Sequence, residues 1–272
     1  MKTYRNTTEI KKKETLGRRI SLGGPAILFV GLMSSFVPTW YPPGTEQTSP
    51  LISFVQVNWM YLSFGSLFAG FILASIGSHY INRYAVRRWP GSKVLARPDQ
   101  LVARSLKGFD NKYGLFLYSL PKVGYAIAGP CGLIGLVPRG DKGKVTVTGA
   151  KWKEPFSLGR FFTVFAREGI GNPSAEVDEQ KAALQALLDA GIAEGHDLAG
   201  IPVNGAVLFI NPEMQIALDG PAVEVLRADQ MKEYVRRMTK EVRLKSGQVR
   251  ALNEFLAIKA EGSEAEEEKD EE

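Results

Sequence analysis

Gly129–Val145, GPCGLIGLVPRGDKGKV, is the stretch on which the soluble part of the chain turns. Apolar residues from Cys131 to Val137 run into Pro138-Arg139-Gly140-Asp141-Lys142-Gly143, and the β-prone Val145-Thr146-Val147 follows. Two apolar runs split by a Gly/Pro/Asp cluster read as strand, turn, strand, a hairpin. RGDKGK invites comparison with a phosphate-binding loop. It lacks the eight-residue spacing of a P-loop, so a solvated turn is the simpler reading.

Working outward, YGLFLYSLP and GYAIAG read as two earlier strands, and KVTVTG completes a meander. Before them, RPDQLVARSLKGF reads as a helix. Pro98 opens it, Asp99 suits the dipole of its first turn, and Leu101, Val102, Leu106 and Phe109 recur at helical spacing. After the turn, KWKEPFS reads as a polar turn and RFFTVFAR as an amphipathic segment. NPSAEVDEQKAALQALLDAG is the clearest soluble helix, with Pro173 at its start, leucines at 184, 187 and 188, and Gly191 at its close. NGAVLFIN reads as a buried strand, MQIAL as another, and ADQMKEYVRRM and SGQVRALNEFLAI as final helices. This order predicts an α/β domain with a mixed sheet over residues 98–258.

The first eighty residues differ. Ile20–Thr45 and Leu51–Ser78 contain no charged side chain, and each can span a hydrocarbon core of roughly 30 Å. Pro25 and Pro38 are placed near the ends of the first apolar stretch. The first stretch starts late and has no A-x-A-like site after it, so it reads as an uncleaved anchor. Lys2, Arg5, Lys11, Lys12, Lys13, Arg18 and Arg19 precede the pair, and Arg83, Arg87, Arg88, Lys93 and Arg97 follow it, while the loop between has no Lys or Arg. The positive-inside rule predicts a multi-pass protein of a bacterial inner membrane with both termini cytoplasmic. Ser66, Gly70, Ala74 and Ser78 form a small-residue stripe, suited to pack on the first helix or, alternatively, on a second copy of the chain. The expected divisions are a basic N-terminus (1–22), a transmembrane hairpin (23–81), a basic linker (82–97), the α/β domain (98–258) and an acidic disordered tail (259–272).

Composition narrows the chemistry. Cys131 is the only cysteine, and His79 and His196 are the only histidines, so no internal disulfide and no Cys/His zinc cluster can form. Cys131, in an apolar Gly/Pro stretch, reads as a packed core thiol. The tail Glu261–Glu272 has a net charge of −7, which leaves +12 on residues 1–260 of a chain at +5. In VRRMTKEVRLKSGQVR, the candidate phosphate-binding residues are Arg236, Arg237, Lys240, Arg243 and Lys245, beside Tyr234. A solvated helix face balanced by Glu233 and Glu241 is the alternative.

The element order, with GPCG beginning a strand, NPSAEVDEQ opening a helix, NGAVLFIN after it and GKVTVTGAKW ending near a tryptophan, resembles the nuclease-related domain (NERD) family over roughly Val94–Phe255. That resemblance implies a restriction-endonuclease-like fold. Active members of such a fold hold a divalent cation with an acid in the first helix, an acid on the second strand and an E-x-K on the third. Here those positions fall on Asp99, Gly124, Val137 and Arg139, with Gln180 matching a glutamine of the long helix. Two acids are replaced by residues without an oxygen side chain, and arginine stays protonated where lysine handles protons. A shift of register would bring in Asp141 or Asp110. The resemblance therefore implies a degenerate member without metal, cofactor or small-molecule substrate, acting as a binding or scaffold domain at the membrane. A metal-dependent nuclease acting on DNA or RNA, and a sensor of lipid headgroups or of a protein partner, are the alternatives. Nucleic acid, a protein partner or a second copy are the candidate partners besides the membrane.

Overall fold

The computed structural model describes residues 1–42, 49–155 and 169–260 and the backbone of 264–267. They fall into a helical unit that includes Lys12 to Asn82 and a globular unit built from Met1–Lys11, residues 83–155 and the described chain from Ile170 on.

The helical unit is an antiparallel pair, α1 (Thr7–Trp40) and α2 (Pro50–Tyr84), both long and apolar enough to cross a membrane. α1 begins well before its apolar run, so Pro25 lies inside the helix rather than near an end. Backbones approach closely along the glycines. A Cβ on Gly31 would come within 2.5 Å of Ser66 Cβ, on Gly70 within 2.5 Å of Leu28 Cγ, and on Gly77 within 2.7 Å of the Ser21 nitrogen. The small-residue stripe of α2 therefore faces α1, and Ser63 Oγ donates to the Gly31 carbonyl at 3.0 Å. The outer faces carry exposed Leu22, Phe29, Val57 and Phe68.

In the globular unit, β4 (Gly114–Leu120), β5 (Val123–Gly129) and β6 (Gly132–Arg139) form the antiparallel meander expected from their runs. Helix α3 (Pro98–Ser105) precedes it. The long helix α4 (Pro173–Ala193) then leads to β9 (Val203–Phe209), which pairs parallel to β6 from Leu133↔Val203 to Arg139↔Phe209. The strand β11 (Glu224–Arg227) adds in parallel outside β9. On the other side, β1 (Lys2–Arg5) pairs parallel to β4, and β12 (Glu264–Glu267) antiparallel to β1. The sheet order is β11-β9-β6-β5-β4-β1-β12. Helices α3 and α5 (Met231–Val242) cover one face through Val102, Leu106, Met231 and Val235. Helices α4 and α6 (Ser246–Lys259) cover the other through Leu184, Leu252 and Phe255.

Several expectations are corrected. The strand after RGDKGK, β7 (Gly143–Thr148), does not continue the meander. It joins β8 (Lys151–Lys153) and β10 (Met214–Asp219) in a second, three-stranded sheet. The reason is competition: β9 already occupies the free edge of β6 along its whole length. So RGDKGK connects two sheets and is not the turn of a hairpin, and KWK is a strand where a polar turn was expected. Gly191 lies inside α4, packed against Leu198 and Phe255, and the helix runs on to Ala193. The basic linker contains a small ribbon, β2 (Arg87–Arg88) with β3 (Leu95–Ala96). Residues 2–5 and 264–267, expected in a basic terminus and a disordered tail, are strands of the main sheet. RFFTVFAR lies outside the described residues.

Candidate functional site

The positions that the nuclease-like resemblance assigns to a metal site lie mostly on one face of the sheet, at one end. The pairing of Tyr125 with Leu136 sets Gly124 beside Val137 on neighbouring strands. Side chains alternate along a strand, so Val137 and Arg139 share a face of β6 with Gly135. That face is the one α4 covers: a Cβ on Gly135 would lie 3.2 Å from both Gln180 Cβ and Leu184 Cδ1. Gln180 Oε1 accepts from the Gly124 nitrogen at 3.1 Å. Gly124, Val137, Arg139 and Gln180 are thus brought together, with no carboxylate among them. Gly124 has ordinary van der Waals room for a Cβ, 3.5 Å from the nearest Tyr118 ring atom.

Arg139 closes this end and is 4% exposed. Its Nε donates to Asp141 Oδ2 at 3.0 Å, Nη1 to Glu176 Oε1 at 3.1 Å, and Nη2 to the Ile170 carbonyl at 2.7 Å. The other oxygen of Glu176 accepts from Arg83 Nη2 at 2.7 Å. Arg87 Nη2 donates to the Gly140 carbonyl at 3.2 Å. Burial lowers the pKa of Arg87 and the charge of Asp141 opposes that shift. A guanidinium held by three acceptors is fixed in place and stays a cation; it cannot take a proton from water. Asp141 is therefore spent on Arg139. Asp110 caps a turn through the Lys112 nitrogen at 3.0 Å.

Asp99 belongs to α3, which packs on the opposite face of the sheet. It is 2% exposed and holds two arginines: Arg97 through Nε at 2.9 Å and Nη2 at 3.3 Å, and Arg5 of β1 through Nε at 3.0 Å. Near the same end, Tyr84, Tyr118 and Tyr125 form a ring cluster with centroids 4.9 Å apart in both pairs. Burial pushes the phenols of Tyr118 and Tyr125 well up, so both stay neutral. Tyr118 has φ of 54°, a left-handed conformation costly for an aromatic residue, at the irregularity between Leu117 and Leu120 of β4. Sequence reasoning singled out Asp99 and Arg139 but missed their partners. In the sequence Arg5, Arg83 and Arg97 mark only topology, and Glu176 carries no assigned role. Glu176 carried a weak signal, being the carboxylate nearest the start of the long helix.

The basic segment behaves differently. Arg236, Arg237 and Lys240 line a groove of about 850 Å³ together with Glu224, Glu233 and Glu241. Arg237 Nη2 donates to Glu224 Oε1 at 2.9 Å and the guanidinium lies 5.3 Å from the Tyr234 ring centre. Burial pushes the Tyr234 phenol up to about 12. Arg243, at φ of 50°, turns its Nε onto the Lys240 carbonyl at 2.9 Å, and Lys245 forms the N-cap of α6. Neither Arg243 nor Lys245 lines the groove. The five residues do not form one cationic surface: the groove sets three cations against three carboxylates.

Cys131 is buried against the α3/α5 face, and its Sγ lies 3.7 Å from the Gly132 carbonyl. Desolvation pushes its pKa up to about 12, the opposite of an activated thiolate. His196 packs against Phe255 with the rings tilted, on the other face, so His196 and Cys131 do not form a nucleophile–base pair. Among the described residues no group of three or more His, Cys, Asp or Glu is placed to hold a metal ion. Comparison of the chain with protein-family models, with curated proteins and with solved structures returned no match.

Proposed function

We propose that this is a membrane-anchored protein with a NERD-like, non-catalytic domain that binds or scaffolds a partner at the cytoplasmic face of a bacterial inner membrane. The observation that carries the proposal is the fate of Arg139. On this reading it takes the place of the family's lysine, and each of its three nitrogens donates to one of Asp141, Glu176 and the Ile170 carbonyl. Gly124 and Val137 offer no oxygen side chain beside it, and backbone carbonyls alone make poor magnesium cages.

The restriction-endonuclease-like relation is part of the same proposal. Its support is the succession α3, β4-β5-β6 meander, α4, then β9 parallel to β6, together with the Gln180–Gly124 contact. The topology has two supports. One is the asymmetry of Lys and Arg around the apolar runs. The other is β1: residues 2–5 pair with β4, so the chain on both sides of the helical hairpin belongs to one folded unit. Two spans returning to the starting side satisfy that pairing, and one span does not.

The test uses the full chain in detergent or nanodiscs, because residues 2–5 are part of the sheet. Duplex DNA, single-stranded DNA and RNA are titrated and then incubated with magnesium and with manganese. No cleavage is expected under either metal. Metal-dependent cleavage by the wild-type chain that co-purifies with it through successive columns would establish the nuclease alternative. Reporter fusions after Arg88 are expected to read as cytoplasmic, and a periplasmic signal overturns the topology.

A further inference from the structure

The first four turns of α1 carry a cationic strip that the groove on α5 lacks. At about 100° per residue, Lys12, Thr15, Arg18, Arg19 and Leu22 fall within an arc of about 120°. All five are exposed, Arg18 with 59% of its side chain. The opposite side of the same helix, with Gly17, Ser21, Gly24 and Gly31, packs on α2. Glu14 reaches Arg18 from the flank at 2.8 Å. Below the strip, the same arc continues into exposed Leu22, Phe29 and Val30. One helix face therefore changes from basic to apolar at Ile20, in the order in which a lipid changes from headgroup to acyl chain. At about 1.5 Å per residue, Lys12 stands about 12 Å from Ile20 along the axis. That places all three cations within the headgroup layer or a screening length above it.

We propose that Lys12, Arg18 and Arg19 form a binding strip for the phosphates of anionic phospholipids, on the side of α1 turned away from α2. The strip rests on the reading of α1 and α2 as membrane-spanning. It gives the anchor a preference among lipids. The phosphate-binding role sought on Arg236, Arg237 and Lys240 moves to α1, where the exposed arc presents cations without an equal number of carboxylates. An arginine beside a phosphate donates two hydrogen bonds as well as charge. Lys12 adds a longer-range attraction that salt weakens.

The experiment compares spin-labelled phosphatidylglycerol with spin-labelled phosphatidylcholine in vesicles holding the full chain. The fraction of motionally restricted label gives the relative affinity of the protein boundary for each lipid. Wild type is expected to prefer phosphatidylglycerol by about fivefold or more, the weight of at least one basic residue near an anionic surface. In Lys12→Gln/Arg18→Gln/Arg19→Gln the preference is expected to fall close to one, and 0.5 M salt is expected to reduce it in wild type. The groove variant Arg236→Gln/Arg237→Gln/Lys240→Gln is expected to retain it. A restricted component with no lipid preference, or a preference that survives in the α1 variant, overturns the strip and leaves the membrane reading standing. No restricted component with either lipid overturns both.

Discussion

Two sets of arginines in the globular unit have opposite fates. Arg139 is buried and Arg5 and Arg97 are largely shielded at the ends of the sheet and α3, each within 3.1 Å of a carboxylate oxygen. Arg236 and Arg237 lie on α5 at a groove where acids match cations. Sequence proximity favoured the second set as functional, because it forms a dense run. Burial gives the first set its energetic weight. A buried ion pair is only modestly stabilising against apolar replacements, but removing one partner strands a charge in a low-dielectric interior. An exposed pair on a helix contributes little whichever partner is lost.

This difference can be broken at its strongest point. Asp99→Ala leaves Arg5 and Arg97 without their carboxylate at a site 2% exposed. The expected loss is about 3–5 kcal/mol, read as a lower denaturant midpoint or as failure to accumulate the folded protein. Unchanged stability would mean that the clasp between β1 and α3 carries no weight.

A smaller effect is expected for Arg139→Lys. One ammonium cannot reproduce a fork that reaches Asp141, Glu176 and the Ile170 carbonyl together. The expected cost is about 1–3 kcal/mol, from acceptors left unsatisfied. The same variant places a lysine where the proposed NERD-like reading would have one. Cleavage of nucleic acid is still not expected, since Gly124 and Val137 remain without oxygens, and an assay with manganese decides it.

Cys131 supplies a pH test of the core. Its folded pKa is raised from 9.0 to about 12 by desolvation. A raised folded value means that the native state holds the proton more tightly than the unfolded chain. The corresponding stability is complete below about pH 9 and is lost as the pH rises toward 12. Alkylation by iodoacetamide at pH 8 should be negligible in native buffer and complete in denaturant. Rapid native labelling would place the thiol in a different environment.

The smallest effect is expected on α5. Arg236→Gln, Arg237→Gln and Lys240→Gln should each change stability by no more than about 0.5 kcal/mol. Affinity for duplex DNA should be weak in wild type and little altered in the three variants. A steep salt dependence of DNA binding, reduced by one of these substitutions, would return the segment to the role first sought for it.

How much was legible follows the range of the interactions. Local patterns placed α3, the three strands of the meander, α4, β9 and the last two helices, because period, turn residues and Pro173 act within one element. The small-residue stripe of α2 was legible too, and the structure packs it on α1. Illegible were the features that depend on a competitor far away in the chain. β7 has the composition of a fourth meander strand, yet β9 holds the only edge of β6 where it could add. β1 and β12 are charged segments whose pairing depends on an open edge of β4, and nothing in Lys2–Arg5 or Glu264–Glu267 announces that edge. β11, four residues long and placed after a Pro-containing turn, was too short for a periodic signal.

The sequence by itself determined where the chain is apolar, which residues could begin and end helices, and that Gly124, Val137 and Arg139 cannot form a carboxylate metal site. These are properties of side-chain chemistry and short-range geometry, and they need no fold. Only the tertiary structure decided that Arg139 is locked by Glu176 and Asp141, that Arg5 reaches Asp99 across about ninety residues of intervening chain, and that the cations of α5 are balanced by acids. The physical reason is the same in each case. An ion pair is set by distance and by exclusion of water, and sequence spacing records neither.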